Sequence, residues 1–187
     1  IENYEVLLVR SATTVRKDLI DACPHLKIVG RGGVGMDNID VEYAREKGIN
    51  VINTPAASSS SVAELVFAHL FGMVRFLFDS NRQMPMTGDA DFKGLKKSYA
   101  KGKELAGKTL GIIGFGRIGQ EVAKRAIGLG MNVMAHDKFI KEASITLDFF
   151  NGDKKSFTIE TESLEEVLKS SDFITLHIPK IGDKPVI

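Results

Sequence analysis

Tryptophan is absent from the 187 residues, cysteine occurs once, and proline five times. A lone cysteine, Cys23, excludes an internal disulfide framework and makes a reducing compartment, the cytoplasm, the expected setting. An excess of one charge is lacking too. The 25 basic and 24 acidic residues leave a net charge of +1, so no overall field recruits nucleic acid or an anionic membrane. No long apolar run exists. The most apolar stretch, residues 62–78, is broken by Glu64, His69 and Arg75, which excludes a membrane span, and the opening residues do not read as a secretory leader. No spacing of histidine, cysteine or carboxylates suggests a metal site. What remains is ordinary globular composition, 43% hydrophobic and 26% charged, apolar enough to bury a core.

Short apolar runs alternate with amphipathic ones, the pattern of βα units on a parallel sheet. In the first half, strands are expected at 5–9, 26–29 and 50–52, with helices at 15–22 and 41–47. The second of these helices starts at an Asp40 cap and stops at Gly48. Residues 62–78 follow as a helix opened by the capping box Ser61-x-x-Glu64. Its apolar residues cover nearly every face, so it should be buried between domains or subunits. A breaker-rich connector is expected from residue 80, holding Pro85 and Gly88, and it leads into a lysine-rich stretch ending at Lys108. The alternation then restarts, with strands at 109–113, 132–136 and 173–177 and helices at 117–129 and 163–169. Asn151-Gly152 between strand-like segments signals a β-hairpin near residues 145–159. The expected fold class is α/β, with two Rossmann/flavodoxin-like parallel-sheet domains at 1–92 and 93–187, both incomplete in this chain, and the hairpin added at an edge.

The spacing Gly-x-Gly-x-x-Gly occurs twice. The later copy, Gly114, Gly116 and Gly119, follows a predicted strand and runs directly into a periodic helix. That placement suits a tight turn whose backbone admits a pyrophosphate at the positive helix end. Asp137 closes the next strand at close to the ~20-residue spacing at which a carboxylate accepts hydrogen bonds from the adenosine ribose. NAD is therefore the expected cofactor, favoured over NADP, with the adjacent Lys138 weakening the exclusion. The earlier copy, residues 30–35, is followed by Asp37, Asn38 and Asp40 and by a strand ending in Asn53 rather than an acid. It does not read as a dinucleotide fingerprint. It is either a simple glycine turn or a run of backbone N–H groups beside Arg31 that holds a carboxylate.

Several segments together, in order, carry a family likeness: Val9-Arg10-Ser11-Ala12-Thr13, residues 29–40 (VGRGGVGMDNID), Asn53-Thr54-Pro55, residues 104–119 (ELAGKTLGIIGFGRIG) and residues 172–179 (DFITLHIP). The sequence resembles the D-isomer-specific 2-hydroxyacid dehydrogenases, within them most closely the D-3-phosphoglycerate dehydrogenases. The resemblance implies a substrate domain and a cofactor domain, each α/β. It implies that Arg117 and Ile118 present backbone to the pyrophosphate and that Asp137 holds the ribose. His177, Ile178 and Pro179 would line the adenosine side, and Val34 would reach the nicotinamide end. For the substrate, a small anionic 2-hydroxy or 2-keto acid, it implies Arg10, Ser11 and Arg31, with Gly32, Gly33 and Val34 as the loop that cradles its carboxylate. Lys96 and Lys97 correspond to a basic region near the substrate phosphate, and the lysine run reads equally as a solvated face. A homodimer or dimer-based oligomer is expected.

Independently of the resemblance, Arg10, the Arg31 loop, Gly114–Gly119, Asp137 and His177 all follow predicted strands at their carboxyl ends, where open parallel sheets bind ligands. The arginine, glutamate and histidine that perform catalysis in such enzymes are expected beyond Ile187. No catalytic residue is assigned in this chain, which reads as a fragment lacking one βα unit at its front. A glyoxylate or hydroxypyruvate reductase is the alternative activity. An NAD-sensing corepressor of the same fold would need a peptide groove that nothing in the sequence signals.

Overall fold

The computed structural model describes residues 1–179 and has an α/β architecture built on two parallel sheets. The chain divides into two compact units, Ile1–Ser59 and the remainder from Ser60.

In the first unit, β1 (Val6–Val9), α1 (Lys17–Asp21), β2 (Ile28–Arg31), α2 (Val41–Glu46) and β3 (Asn50–Asn53) form a three-stranded parallel sheet in the order β1-β2-β3. Val9 pairs with Arg31 and Arg31 with Asn53, so the three strands end level with one another. Alternate side chains divide between the two faces. Val9 and Val29 turn inward with Val15, Ile20, Ile39, Ala44 and Ile49 to make the core. Leu8 and Ile52 turn to the other face and stay exposed, at 75% and 55%. Gly30 lies between them on β2, and a Cβ there would come 2.6 Å from Leu8 Cδ2. Asp40 caps α2 by accepting from the Tyr43 N–H at 3.2 Å, and Gly48 leaves the helix at φ +76°.

The second unit opens with α3 (Ser59–Val74) and α4 (Leu77–Tyr99). It continues with β4 (Thr109–Ile113), α5 (Arg117–Gly128) and β5 (Asn132–His136). A hairpin of β6 (Glu142–Asp148) and β7 (Lys154–Glu160) precedes α6 (Leu164–Ser170) and β8 (Phe173–Leu176). The parallel order is β5-β4-β8, so the chain leaves β4 to one side and returns on the other. Beta-4 is buried along Leu110–Ile113, and α5 packs Val122, Ala123 and Ala126 beneath it. The hairpin pairs antiparallel as its Asn-Gly turn implied, a two-stranded sheet of its own, and just past it Thr161 bridges Ala135 of β5.

Two segments differ from their sequence expectation. Helix α3 ends at Val74 and buries one row, Ala63, Phe67, Leu70 and Val74, in the core of the second unit, while Leu65, Phe71 and Met73 stay exposed. An Arg125 guanidinium bonded to Glu121, Glu64 and the Ser60 hydroxyl ties α5 to the start of α3. By this packing the residues from Ser60 onward lie in the second compact unit. The stretch expected to be a connector is mostly helix. Pro85 forfeits a single backbone bond, and the helix is interrupted only at Asp91 (φ −139°, ψ 45°). The Asp91 side chain then accepts from the Gly94 N–H at 3.0 Å and recaps the next turn. Breakers act one at a time and helical hydrogen bonding survives between them. No single helix among the described residues is long and apolar enough to cross a membrane.

Candidate active site

The second glycine motif is a turn in which the three glycines have three different reasons to lack a side chain. Gly114 sits at φ +95°, and a Cβ there would lie 2.6 Å from the His177 carbonyl oxygen. Gly119 lies against the strand end, where a Cβ would come 2.2 Å from the Gly114 carbonyl oxygen. Those two are required by the chain itself. Gly116 is not: a Cβ there meets nothing within 4 Å. Gly116 is also the N-cap of α5 and offers no side-chain cap, so the first-turn N–H groups, including those of Arg117 and Ile118, open onto that free space. Room for an anion, a bare backbone and a positive helix end coincide where the strand order reverses between β4 and β8. This is the geometry a dinucleotide pyrophosphate requires.

Asp137 stands at the end of β5 and clamps this turn. Its Oδ2 accepts from the Phe115 N–H at 2.7 Å, and its Oδ1 accepts from the N–H groups of Phe139 at 2.8 Å and Ile140 at 3.0 Å. Partial burial pushes its pKa up, but the three N–H donors favour the anion more strongly, and the net shift is downward. Three donors leave roughly one of about four acceptor positions for a ligand hydroxyl. His177 is partly buried at the end of β8. Its N–H donates to the Ile113 carbonyl at 2.7 Å, its Nε2 lies 3.0 Å from the Thr175 hydroxyl, and burial lowers its pKa. Ile178 places Cγ2 2.7 Å from the position a Gly114 Cβ would take, and Pro179 is exposed.

In the first unit, an open pocket of about 550 Å³ sits on the strand ends and the bare face of the sheet. Arg10, Thr13, Arg31, Gly32, Asn53 and Thr54 line it together with Leu8, Val9, Gly30 and Ile52. Arg31 is its distinctive element: Nε and Nη1 are buried and have no hydrogen-bond partner among the described residues. Unpaired buried guanidinium N–H groups are costly, and a carboxylate or phosphate satisfies them. Arg10 and Ser11 are exposed at the neighbouring strand end.

The glycine loop beside Arg31 is tied to its surroundings by backbone bonds. The Gly32 N–H donates to the Val9 carbonyl at 3.0 Å. The Gly33 N–H is shared between the Arg31 carbonyl at 3.0 Å and the Thr54 hydroxyl at 2.9 Å. These bonds hold the loop to the ends of its neighbouring strands. The next two N–H groups, of Val34 and Gly35, make no hydrogen bond among the described residues. Lys96 and Lys97 lie exposed in the last turn of α4, where cations complement the negative helix end.

Residues 1–177 match the family described as D-isomer specific 2-hydroxyacid dehydrogenase, catalytic domain. The chain belongs to that family. It is 45% identical over 179 residues to the hydroxypyruvate reductase of Thermotoga maritima, a match covering 96% of this chain and 53% of that one. It is 45% identical over 181 residues to the D-3-phosphoglycerate dehydrogenase of Methanocaldococcus jannaschii, covering 96% and 32%. Among solved structures, the NAD⁺-bound 3-phosphoglycerate dehydrogenase of Entamoeba histolytica shares the fold with a TM-score of 0.64 at 30% identity, covering 97% of this chain and 49% of that one. The chain thus spans about half or less of the length of these 2-hydroxyacid dehydrogenases.

Within this member of the 2-hydroxyacid dehydrogenases, Asn38, Asn53 and Thr54 stand in motifs visible in the sequence but had no role assigned by them. Thr54 and Gly33 exchange hydrogen bonds, and the Asn53 amide donates to the Val34 carbonyl at 2.7 Å. The signal was present in Asn53-Thr54-Pro55, a polar tripeptide at a strand end, but its partners are distant in sequence.

Proposed function

We propose that the protein containing this chain is an NAD-dependent dehydrogenase that oxidises the 2-hydroxyl of D-3-phosphoglycerate to give 3-phosphohydroxypyruvate, the entry to serine synthesis, in the cytoplasm. The observation that carries the substrate choice is the pocket in which Arg31, with two unpaired buried N–H groups, shares the strand ends with Arg10. Two guanidinium groups suit a substrate that carries both a carboxylate and a phosphate.

The bound nicotinamide supplies the acceptor for the hydride on C2. The chain's own residues do the holding. Backbone N–H groups of Arg117 and Ile118 take the pyrophosphate over Gly116, and the remaining acceptor position of Asp137 takes the ribose. His177, Ile178 and Pro179 border the adenosine. Arg10, Ser11 and Arg31 take the substrate anions. The loop of Gly32, Gly33 and Val34 cradles the substrate carboxylate, with the N–H groups of Val34 and Gly35 as donors. The exposed apolar residues Leu65, Phe71, Met73, Leu77 and Phe78 support a homodimer or dimer-based oligomer, because such a patch gains by covering itself.

Steady-state rates with NADH on 3-phosphohydroxypyruvate and on hydroxypyruvate test the reading. A kcat/KM higher for the phosphorylated acid by about tenfold or more supports it. A preference for hydroxypyruvate supports a second reading, hydroxypyruvate reduction, which rests on the 45% identity to the Thermotoga maritima enzyme.

A further inference from the structure

We propose that Asn38 is a positioning residue that sets the spacing between Arg10 and Arg31, and through that spacing the preference for a substrate with two anionic groups. The inference rests on the reading that these two arginines hold the substrate.

The two arginines are placed by different means. Arg31 is the last residue of β2, in register with Val9 on one side and Asn53 on the other, so the sheet fixes its backbone. Arg10 lies one residue past β1, just beyond the cross-strand bond from the Gly32 N–H to the Val9 carbonyl. Asn38 holds it there. The Asn38 Nδ2 donates to the Arg10 carbonyl at 3.0 Å and to the Thr13 carbonyl at 2.5 Å, spending both of its N–H bonds on the loop that follows β1. The other local tie within that loop is a longer bond, from the Thr13 N–H to the Arg10 carbonyl at 3.4 Å.

Asn38 itself is well anchored. Its carbonyl accepts from the Val15 N–H at 2.8 Å, and the Asp40 N–H donates back to the Val15 carbonyl at 2.9 Å. These bonds form a short parallel bridge between Val15 and Ile39, both buried. The bridge joins the segment that follows Arg10 to the loop that follows Arg31, and it depends on backbone alone. Removing the Asn38 side chain therefore leaves the bridge and frees only residues 10–13.

The Asn38 Oδ1 is buried without a hydrogen-bond partner among the described residues. A buried amide oxygen with no donor is unfavourable. The NH₂ group makes the two loop contacts, and the oxygen contributes none. An aspartate of the same shape offers no donor to either carbonyl, and a serine offers one.

The test uses protein expressed from the full reading frame, with Asn38→Asp and Asn38→Ser each compared with wild type. For Asn38→Asp, KM for 3-phosphohydroxypyruvate should rise about tenfold, while kcat and the NADH dissociation constant change by less than about twofold. KM for hydroxypyruvate should stay within about twofold, and Asn38→Ser should fall between. In an Arg10→Ala background, Asn38→Asp should add less than about twofold, because its effect runs through Arg10. Equal KM increases for both acids, additivity with Arg10→Ala, or a loss of kcat at unchanged KM would each overturn the proposal. If the aspartate variant does not fold, judged by its circular dichroism melt, the serine variant decides by the same criteria. A wild-type enzyme indifferent to the phosphate would sink the phosphoglycerate reading. The Arg10 coupling, measured with whichever acid is turned over, would still decide the role of Asn38.

Discussion

Replacing Asp137 by asparagine tests whether one carboxylate both clamps the dinucleotide turn and reads the ribose. The amide has nearly the same shape but only one acceptor oxygen. Directed at Phe139 and Ile140, that oxygen keeps two bonds and turns an NH₂ toward the Phe115 N–H, which Oδ2 now receives at 2.7 Å. Phe115 is fully buried, so its N–H is left without an acceptor or water. Losing a buried bond to a charged group costs roughly 1.5–3 kcal/mol. Partial exposure of Asp137 brings this cost to about 2 kcal/mol, a Tm lower by about 4–8 °C for a chain of this size.

The pH dependence has a definite sign. The folded pKa of Asp137 lies below its ordinary value, so between the two values the unfolded chain binds the proton and stability rises with pH. The contribution is complete above about pH 4–5 and disappears as the pH falls through the folded value. Thermal melts of wild type and Asp137→Asn, followed by circular dichroism from pH 7 down to 3, should differ most at neutral pH and converge in acid. A Tm gap that is absent at pH 7, or constant across the range, would refute the clamp. NADH titration of the same variant reports the second role: affinity falls and the advantage of NADH over NADPH narrows. Unchanged affinities for both cofactors would leave Asp137 as a clamp alone.

Three further outcomes follow from the same geometry. Gly116→Ala, whose methyl enters open space, should leave Tm within about 2 °C and weaken NADH binding about tenfold or more, whereas Gly119→Ala, whose Cβ would meet the Gly114 carbonyl, should lower Tm sharply. NADH fluorescence titration and melts distinguish the two, and equal behaviour would mean that Gly116 does not face the cofactor. Arg31→Ala should raise substrate KM far more than the NADH dissociation constant, and Arg31→Lys should rescue little, since lysine lacks the planar fork; parallel changes in both constants would remove Arg31 from the substrate site. His177 has its pKa lowered by burial, so the unfolded chain gains a proton as the pH falls below about 6.5 and stability drops there; His177→Gln should flatten this limb of a Tm–pH curve, and an unchanged curve would contradict the burial argument.

Much of this was legible in the residues. Asn132–His136 and Thr109–Ile113 read as strands because each is a short apolar run bounded by turn signals, and both fall within those bounds. Asp40, Gly48 and Ser163 mark helix ends by capping chemistry that operates within three or four residues. Helix α4 was not legible, because Pro85, Gly88 and Asp89 each disfavour helix while the backbone bonds that override them leave no mark on composition. Nor was the packing of α3, because a helix apolar on most faces does not announce which row it buries. At the site, the partners of the Gly32 and Gly33 N–H groups, Val9, Arg31 and Thr54, were not legible, because Val9 and Thr54 are distant in sequence.

The sequence by itself determined the α/β order, the dinucleotide turn and the placement of charged residues at strand ends. These depend on periodicity and on interactions between near neighbours. Only the tertiary structure decided which N–H groups remain free, which row of α3 is buried, and that Asn38 reaches back to Arg10. Each of those joins residues far apart in the chain, and an N–H group is identical in every residue that has one, so its partner is chosen by the fold alone.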